Sequence, residues 1–466
     1  MGIASLLTFN RGKSLFLPAH GRGVALPTEI KKLLGKRAGL WDLPELPDLG
    51  GPLISNGAVA ASQERSACGV GAKRCWYGVN GATGLLQAAL LSITRPGQAV
   101  LMPRNIHRSL IQACAISELQ PVLYDVPFMA DRGHFGTSDA FWIQKVLNAL
   151  PLSEVDIAAT VLINPTYHGY TGDLTSLVKI FHERGWPVLV DEAHGAHFAS
   201  RVDMDLPASG LSAGADLVVH SLHKSAAGLV QTAVLWLQGD RVDPIAVERS
   251  VSWLQTSSPS ALLLASCESA LSEWKTKSGQ SKLITRINEA RQISTQLRNM
   301  GVPLLLNQDP LRLIVHSASK GISGFDADNW LIQHGIVGEL PEPGCLTLCL
   351  GFAPQKGLAR RFKRNWNALL ASHPDRKPLP AFVAPPVPLL MTPMMSCAFA
   401  WRSKSHTVPL NEAVGRVAAE MICPYPPGIP ILIPGESLEK AGVKWLLQQR
   451  SLWPDQIPSH LRVVNQ

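Results

Sequence analysis

From about Gln63 onward, short apolar runs alternate with stretches of helical periodicity. The runs are Trp76–Val79, Ala99–Met102, Val122–Tyr124, Ala158–Ile163, Val188–Val190, Leu217–Val219 and Ala233–Trp236. Between most of them lie helical stretches: Thr83–Ile93, Ile106–Ser117, Ala140–Leu150 and Leu174–Arg184. Nearly continuous apolar runs, such as Val188-Leu189-Val190, read as strands buried on both faces. Strand and helix in alternation predict an α/β architecture, a mainly parallel sheet with helices on both sides. A long helical stretch, about Pro259 to Met300, leaves this domain. Beyond it, Leu311–Ser317, Gly335–Leu340 and Leu346–Gly351 have strand character and predict a smaller C-terminal α+β domain. Residues 374–393 are proline-rich and read as an extended connector between structured stretches. Leu410–Glu420 then predicts a helix, and Cys423–Pro434 a Pro/Gly-rich segment. The first fifty residues are irregular, with one basic helical stretch at Ile30–Arg37, and read as an arm wrapping a neighbour or the main domain. The chain thus divides into an arm (1–62), a large domain (63–275) and a C-terminal part (276–466). No internal repeat is present.

Composition narrows the class. With 466 residues, 46% hydrophobic and 17% charged, the chain is globular and long enough for two or three lobes. The formal charge of +8 comes from scattered residues, and its densest group, Arg360 to Arg364, reads as one solvated helix face. Nucleic-acid binding is therefore not expected, because a basic excess needs a motif beside it. None of the eight cysteines forms a CxxC pair, so they read as reduced thiols of a cytoplasmic protein. Cys345 and Cys349 lack a partner at metal-ligand spacing, and no metal is expected. The N-terminus carries its basic residues after its apolar ones, the wrong order for a signal peptide. Leu6 breaks the myristoylation pattern. No apolar run reaches the roughly 18 residues that a membrane helix needs.

In open α/β sheets, ligands bind beyond the carboxyl ends of the strands. Five consecutive runs end in chemically capable residues: Asn80 to Thr83, Asn105 to His107, Asn164 to His168, Asp191 to His194, and His220 to Lys224. Lys224, among small residues beside an apolar strand, is placed to offer a partly desolvated, neutral amine, as Schiff-base chemistry requires. Its bland alternative is a surface lysine in a loop. Asp191 follows a buried strand, where a lone carboxylate is costly unless paired. A protonated pyridine nitrogen is such a partner; a helix cap is the other. Gly81-Ala82-Thr83 opens a helix directly after a strand, and its backbone N–H groups and dipole suit a phosphate. Ser221 and His223 can add donors to the same phosphate. His107 is a candidate to stack on the ring, and His194 to orient Asp191 or touch the ring system. No GxSxG, GxGxxG, GxxxxGK[ST] or HExxH motif competes.

Val190 to Phe198 (VDEAHGAHF), His220 to Lys224 (HSLHK) and Leu254 to Ser260 (LQTSSPS), together with Glu420 to Pro430 (EMICPYPPGIP) and Pro434-Gly435-Glu436, resemble the group III pyridoxal-phosphate (PLP) decarboxylases of ornithine, lysine and arginine. The resemblance runs from about His20 to Glu436. It implies PLP fold type I with a site at a dimer interface. Lys224 would be the Schiff-base lysine and Asp191 the pyridine-nitrogen partner. His107 would stack on the ring, while Ser221, His223, Ala82 and Thr83 would hold the phosphate. Thr256, Ser257 and Ser258 would reach the phosphate of a second subunit, with Ser258 capping a helix that Pro259 opens. Three departures stand out. Pro18-Ala19-His20 replaces the family's Pro-Gly-His. The loop after Asn80 offers one hydroxyl where relatives tend to have a Ser-Thr pair. Met394 occupies a position where relatives tend to have Arg. The N-terminal wing domain of the large inducible enzymes is lacking, so their decameric assembly is not implied.

The reaction implied is decarboxylation of a basic amino acid to its amine, as in polyamine metabolism, with His223 or Lys224 reprotonating the α-carbon. Glu436, and after it Glu420, are the candidate partners of the substrate's distal cation. Alternatives are another fold type I reaction, such as amino transfer, or non-catalytic PLP binding. An aminotransferase usually needs an arginine gripping the substrate carboxylate. The sequence does not choose among arginine, lysine and ornithine.

Overall fold

The computed structural model describes residues 13–465, apart from 17, 22, 36–42, 44, 46, 47, 152–154, 425–427, 454 and 455. Its main sheet has eight strands, in the spatial order Leu390–Met391, Gln120–Tyr124, Ala99–Pro103, Ile157–Ile163, Val188–Asp191, Leu217–Ser221, Ala233–Leu237 and Arg74–Gly78. The five strands from Gln120–Tyr124 to Leu217–Ser221 pair in parallel. Arg74–Gly78 runs the same way, being antiparallel to Ala233–Leu237, which is itself antiparallel to Leu217–Ser221. All seven runs expected from the sequence are therefore strands of one mainly parallel sheet.

Alternation inside these apolar strands builds two cores. Val188 and Val190 enter the cluster with Tyr77, Leu101, Val218 and Trp236, whereas Leu189 enters the one on the other face with Trp76, Met102, Val219 and Leu235. The expected helices appear at Gly81–Ser92, Arg108–Ile116, Ala140–Ala149 and Leu174–His182. Asp139 and Asp173 cap the last two by accepting from Trp142 N and Ser176 N.

The smaller domain is a four-stranded antiparallel sheet that includes Arg312–Val315 and Leu346–Cys349. Its core gathers Leu313, Leu348, Phe362 and Trp366. A further cluster, with Leu410, Val443, Leu446 and Leu461, lies in the last sixty residues. There the helix Lys440–Leu452 packs near the paired strands Ser405–Pro409 and His460–Val464. None of these three elements was legible beforehand.

The structure corrects the sequence reading at several points. The stretch from Pro259 to Met300 is two helices, Ala261–Glu273 and Lys277–Asn299. Thr276 starts the second by accepting from Gly279 N at 2.9 Å, and a side chain at Gly279 would collide with the Glu273 carbonyl. Ser258 is not the cap of the first: Thr256 Oγ1 accepts its N–H in a tight turn, and Ser260 is the N-cap. Leu410–Glu420 is a helix only over Leu410–Glu412, because the backbone beyond is drawn into extended pairing. Ala418 N donates to Glu436 O and Ala419 N to Arg462 O. Gly335–Leu340 splits into two short strands, Ile336–Val337 and Leu340–Pro341.

The arm packs against its own chain. Lys13–Ser14 pairs with Ile336–Val337, and Ala19 N donates to His223 O at 2.9 Å. The first turn of its helix is at Thr28; residues 36 and 37 of the expected stretch lie outside the described residues. The proline-rich connector is extended as expected and crosses the sheet edge, with Phe382 N donating to Ala130 O and Leu390–Met391 pairing with Gln120–Tyr124. Among the described residues, no helix is long and apolar enough to cross a membrane.

Candidate active site

Because six of the eight strands run one way, their carboxyl ends share one edge, and a cavity of about 300 Å³ opens there. Gly81, Ala82, Thr83, His107, Asp191, His194, Ser221, His223 and Lys224 all line it. Nine residues singled out from sequence thus converge from four strand ends. Glu436, Glu420 and Thr256 to Ser258 do not line the cavity of their own chain. Glu436 is held in a buried ion pair by Arg104 and also accepts from Ile433 N at 2.7 Å. Glu420 accepts from Arg462 N, and Thr256 to Ser258 are exposed.

Lys224 lies on the short helix Leu222–Ser225 that follows the Leu217–Ser221 strand. The protein encloses its ammonium except on the cavity side. Burial lowers its pKa, against the pull of Asp191 and Glu339. His194 Nε2 lies 3.1 Å from Nζ, and Arg312 holds the other nitrogen of that ring at 3.2 Å. Tyr167 packs on His194 with ring centroids 4.4 Å apart, and its hydroxyl bonds to Glu339. His194 therefore positions the lysine rather than Asp191.

Asp191 ends its strand and is buried. Burial raises its carboxyl pKa, with Lys224 opposing. One oxygen accepts from Ala193 N at 3.1 Å; among the described residues the other has no hydrogen-bond partner. A buried carboxylate left half-satisfied at a cavity wall calls for a cationic or N–H partner there.

The N-terminus of the helix Gly81–Ser92 also lines the cavity, through Gly81, Ala82 and Thr83. Gly81 takes a φ of +73° that favours glycine, and its N–H is spent on Gln231 O. The amides that follow carry the free donors of a helix start. Ser221 Oγ lies 3.1 Å from His223 Nδ1. Burial, and after it Lys224, lowers His223 to about 4. Burial also lowers His107, to about 3, and its Nδ1 accepts from Ser109 N to cap Arg108–Ile116. His107 is a cap and a cavity residue at once. Thus the donor set suits a phosphate at the helix start, the carboxylate a protonated ring nitrogen, and the lysine an aldehyde carbon. These are the three demands of PLP, and the residues present fit it.

Some chemically capable residues at the same edge serve the fold. Glu192 accepts from His220, Gly210 N and Asn164, all buried and none facing the ligand side through that carboxylate. His197 pairs with Asp309 at 3.0 Å. Conversely, the cavity holds side chains that no sequence motif singles out. His134, His168 and Glu342 form a buried cluster, and Phe382, Trp445 and Trp453 line the wall. His168 was visible at a strand end; His134 and Glu342 lie in segments with no periodic signal.

The family model for the Orn/Lys/Arg decarboxylase major domain matches residues 7–308, and that for the C-terminal domain of the same family matches 381–458. An arginine decarboxylase of Halalkalibacterium halodurans is 31% identical over 92% of this chain and 89% of its own length. One from Bacillus subtilis is 29% identical over 93% and 89%. The structure of lysine decarboxylase A from Pseudomonas aeruginosa superposes with a TM-score of 0.72 at 19% identity, covering 96% of this chain and 77% of that one. The fold is that of PLP fold type I, as the family resemblance implied.

Proposed function

This chain belongs to the Orn/Lys/Arg decarboxylase family and is a decarboxylase, and we propose that its substrate is a basic amino acid, arginine first, with PLP as cofactor. The observation that carries the reading is the pairing, in one cavity, of a lysine whose pKa burial lowers with a half-satisfied carboxylate. Arginine comes first because relatives 28–31% identical over nine-tenths of the chain carry that name, whereas the lysine decarboxylase that matches a similar share is only 22% identical. Its product would be agmatine; lysine would give cadaverine and ornithine putrescine, all polyamine-type amines.

Bound in this cavity, PLP would supply an electron sink for the pair left when the substrate carboxylate departs as carbon dioxide. Lys224 Nζ would hold the cofactor covalently and, once displaced by the substrate amine, stay within reach as a base. Asp191 would keep the ring nitrogen protonated. Ala82, Thr83, Ser221 and His223 would hold the phosphate, and His107 would cover the ring. Lys224 Nζ or His223 Nε2 would return a proton to the α-carbon.

Amino transfer is the nearest rival. It usually uses an arginine that clamps the substrate carboxylate. Among the described residues lining the cavity there is no arginine, and Arg312 is turned to His194. That favours loss of the carboxylate. The family resemblance of the turn Thr256 to Ser258, which is exposed in the single chain, supports at least a homodimer in which it meets the partner's phosphate. All eight cysteines are free, which supports a reducing, cytoplasmic setting. The test is product analysis by mass spectrometry of holoenzyme with arginine, lysine and ornithine. Carbon dioxide with the matching amine supports the proposal; an oxo acid with transfer of the amino group contradicts it.

A further inference from the structure

We propose that Glu342, held by His168 and flanked by His134, is the carboxylate that receives the distal cation of the substrate; this deepens, and rests on, the reading of the chain as a decarboxylase of basic amino acids.

Glu342 is an acidic residue of the cavity wall that no motif marks. It is buried, and its Oε2 lies 2.6 Å from His168 Nε2. Among the described residues its Oε1 has no hydrogen-bond partner. His134 stacks on His168 with centroids 3.7 Å apart and planes 13° from parallel. Its Nδ1 lies 3.7 Å from Glu342 Oε2 and is buried without a hydrogen bond. Burial, and after it the charge of His168, holds His134 well below the usual histidine range, so it contributes a neutral face. The carboxylate oxygen left without a partner marks a place for a donor that carries charge.

The walls agree. Phe382, brought in by the proline-rich connector, packs over two bare backbones. A side chain at Gly133 would meet its ring at 2.9 Å and one at Gly344 at 2.8 Å. Those glycines flank His134 and the Glu342-Pro343 pair in sequence. Phe128 and Phe135, edge to face at 5.5 Å, line the same cavity. Aromatic faces around a carboxylate suit an ammonium or a guanidinium. The placement relative to the reacting end also fits. Tyr167 packs on His194, which touches Lys224, while the next residue, His168, touches Glu342. Adjacent residues of one loop therefore connect the histidine beside the lysine to Glu342.

The same three groups could be taken for a metal site, since their ligand atoms lie within 4.8 Å of one another. The stacking argues otherwise. An imidazole binds a metal along a lone pair in its ring plane. Two nearly parallel, stacked rings cannot both aim such a pair at one ion, and no ring turn is available without losing the stack.

The experiment compares arginine with citrulline, its uncharged isostere, as substrates of the holoenzyme. In Glu342→Gln the preference for arginine, as the ratio of kcat/KM values, should fall roughly 10- to 100-fold, the loss of a charge-assisted hydrogen bond, mostly through KM. Glu342→Asp keeps the charge and should keep most of the preference. An independent arm reads calorimetric binding of agmatine, which needs no turnover, and Glu342→Gln should weaken it roughly 10-fold. Unchanged preference together with unchanged agmatine affinity overturns the assignment. So does stoichiometric zinc in the purified protein that His168→Ala removes. If the unaltered holoenzyme releases no carbon dioxide from any basic amino acid, the decarboxylase reading fails, and the agmatine arm still decides on Glu342.

Discussion

His194 Nε2 lies 3.1 Å from Lys224 Nζ, and this contact selects the neutral form of the lysine. Arg312 donates to His194 Nδ1, and a guanidinium has no acceptor to offer in return. Burial holds His194 well below the usual histidine range, so the ring carries one proton. With Nδ1 accepting, that proton sits on Nε2 and needs an acceptor. A neutral amine has a lone pair to give; an ammonium does not. Hydrogen bonding and burial thus push Lys224 the same way, toward the nucleophile.

It follows that Arg312→Met, which keeps the length but removes the donor, frees His194 to take the other tautomer and accept from an ammonium. Reconstitution of the apoenzyme with PLP, followed by absorbance across pH, should show its midpoint moved to higher pH. An unmoved midpoint would mean that burial alone sets the lysine.

Asp191→Asn keeps size but removes the charge beside the ring nitrogen. Loss of an ionic partner in a buried site amounts to several kcal/mol, so kcat should fall by about two to four powers of ten. Cofactor affinity should fall less, because the phosphate donors at Ala82, Thr83 and Ser221 remain. Near-native turnover in this variant would leave Asp191 as no more than the acceptor for Ala193 N.

Acid should destabilise the fold through its buried histidines. His134 and His194 have folded pKa values below the unfolded value near 6.5, so below that pH the unfolded chain takes up protons that the fold refuses. Stability is fully present above about 6.5 and falls as pH drops. Denaturant midpoints of the holoenzyme at pH 7.5 and about 5 should differ in that direction, and His134→Asn should flatten the difference. A slope unchanged by that substitution would assign the acid sensitivity elsewhere.

Much of this site was legible in the sequence, because its residues sit at strand ends that an alternating pattern locates. Lys224, Asp191, His107 and the Gly81 turn fall where parallel strands stop. The rule fails where polar residues at the same edge are structural, as with Glu192 and His220, which bond to each other at 2.7 Å inside the fold. It fails also for Glu342, which reaches the cavity from the smaller domain. No local periodicity encodes the meeting of His134, His168 and Glu342, since the hydrogen-bonded pair His168 and Glu342 lie 174 residues apart in sequence. Glu436 shows the converse: a motif located it, but Arg104 takes its charge.

Sharing of the site between subunits has its own test. Lys224→Ala chains mixed with chains altered at Ser257 and Ser258 should regain some activity through hybrids that hold one intact composite site. Each parent must first be impaired, and exchange must be verified. Verified hybrids without recovery, or an active monomer in solution, would remove Thr256 to Ser258 from the site and leave Lys224 in place.

The most direct measurement concerns the lysine itself. Holoenzyme reduced with borohydride should carry the cofactor label on a single peptide, at Lys224, and the visible absorbance should disappear in step. A label on any other lysine, or a protein that binds PLP as well after Lys224→Ala and still turns over substrate, would contradict the account.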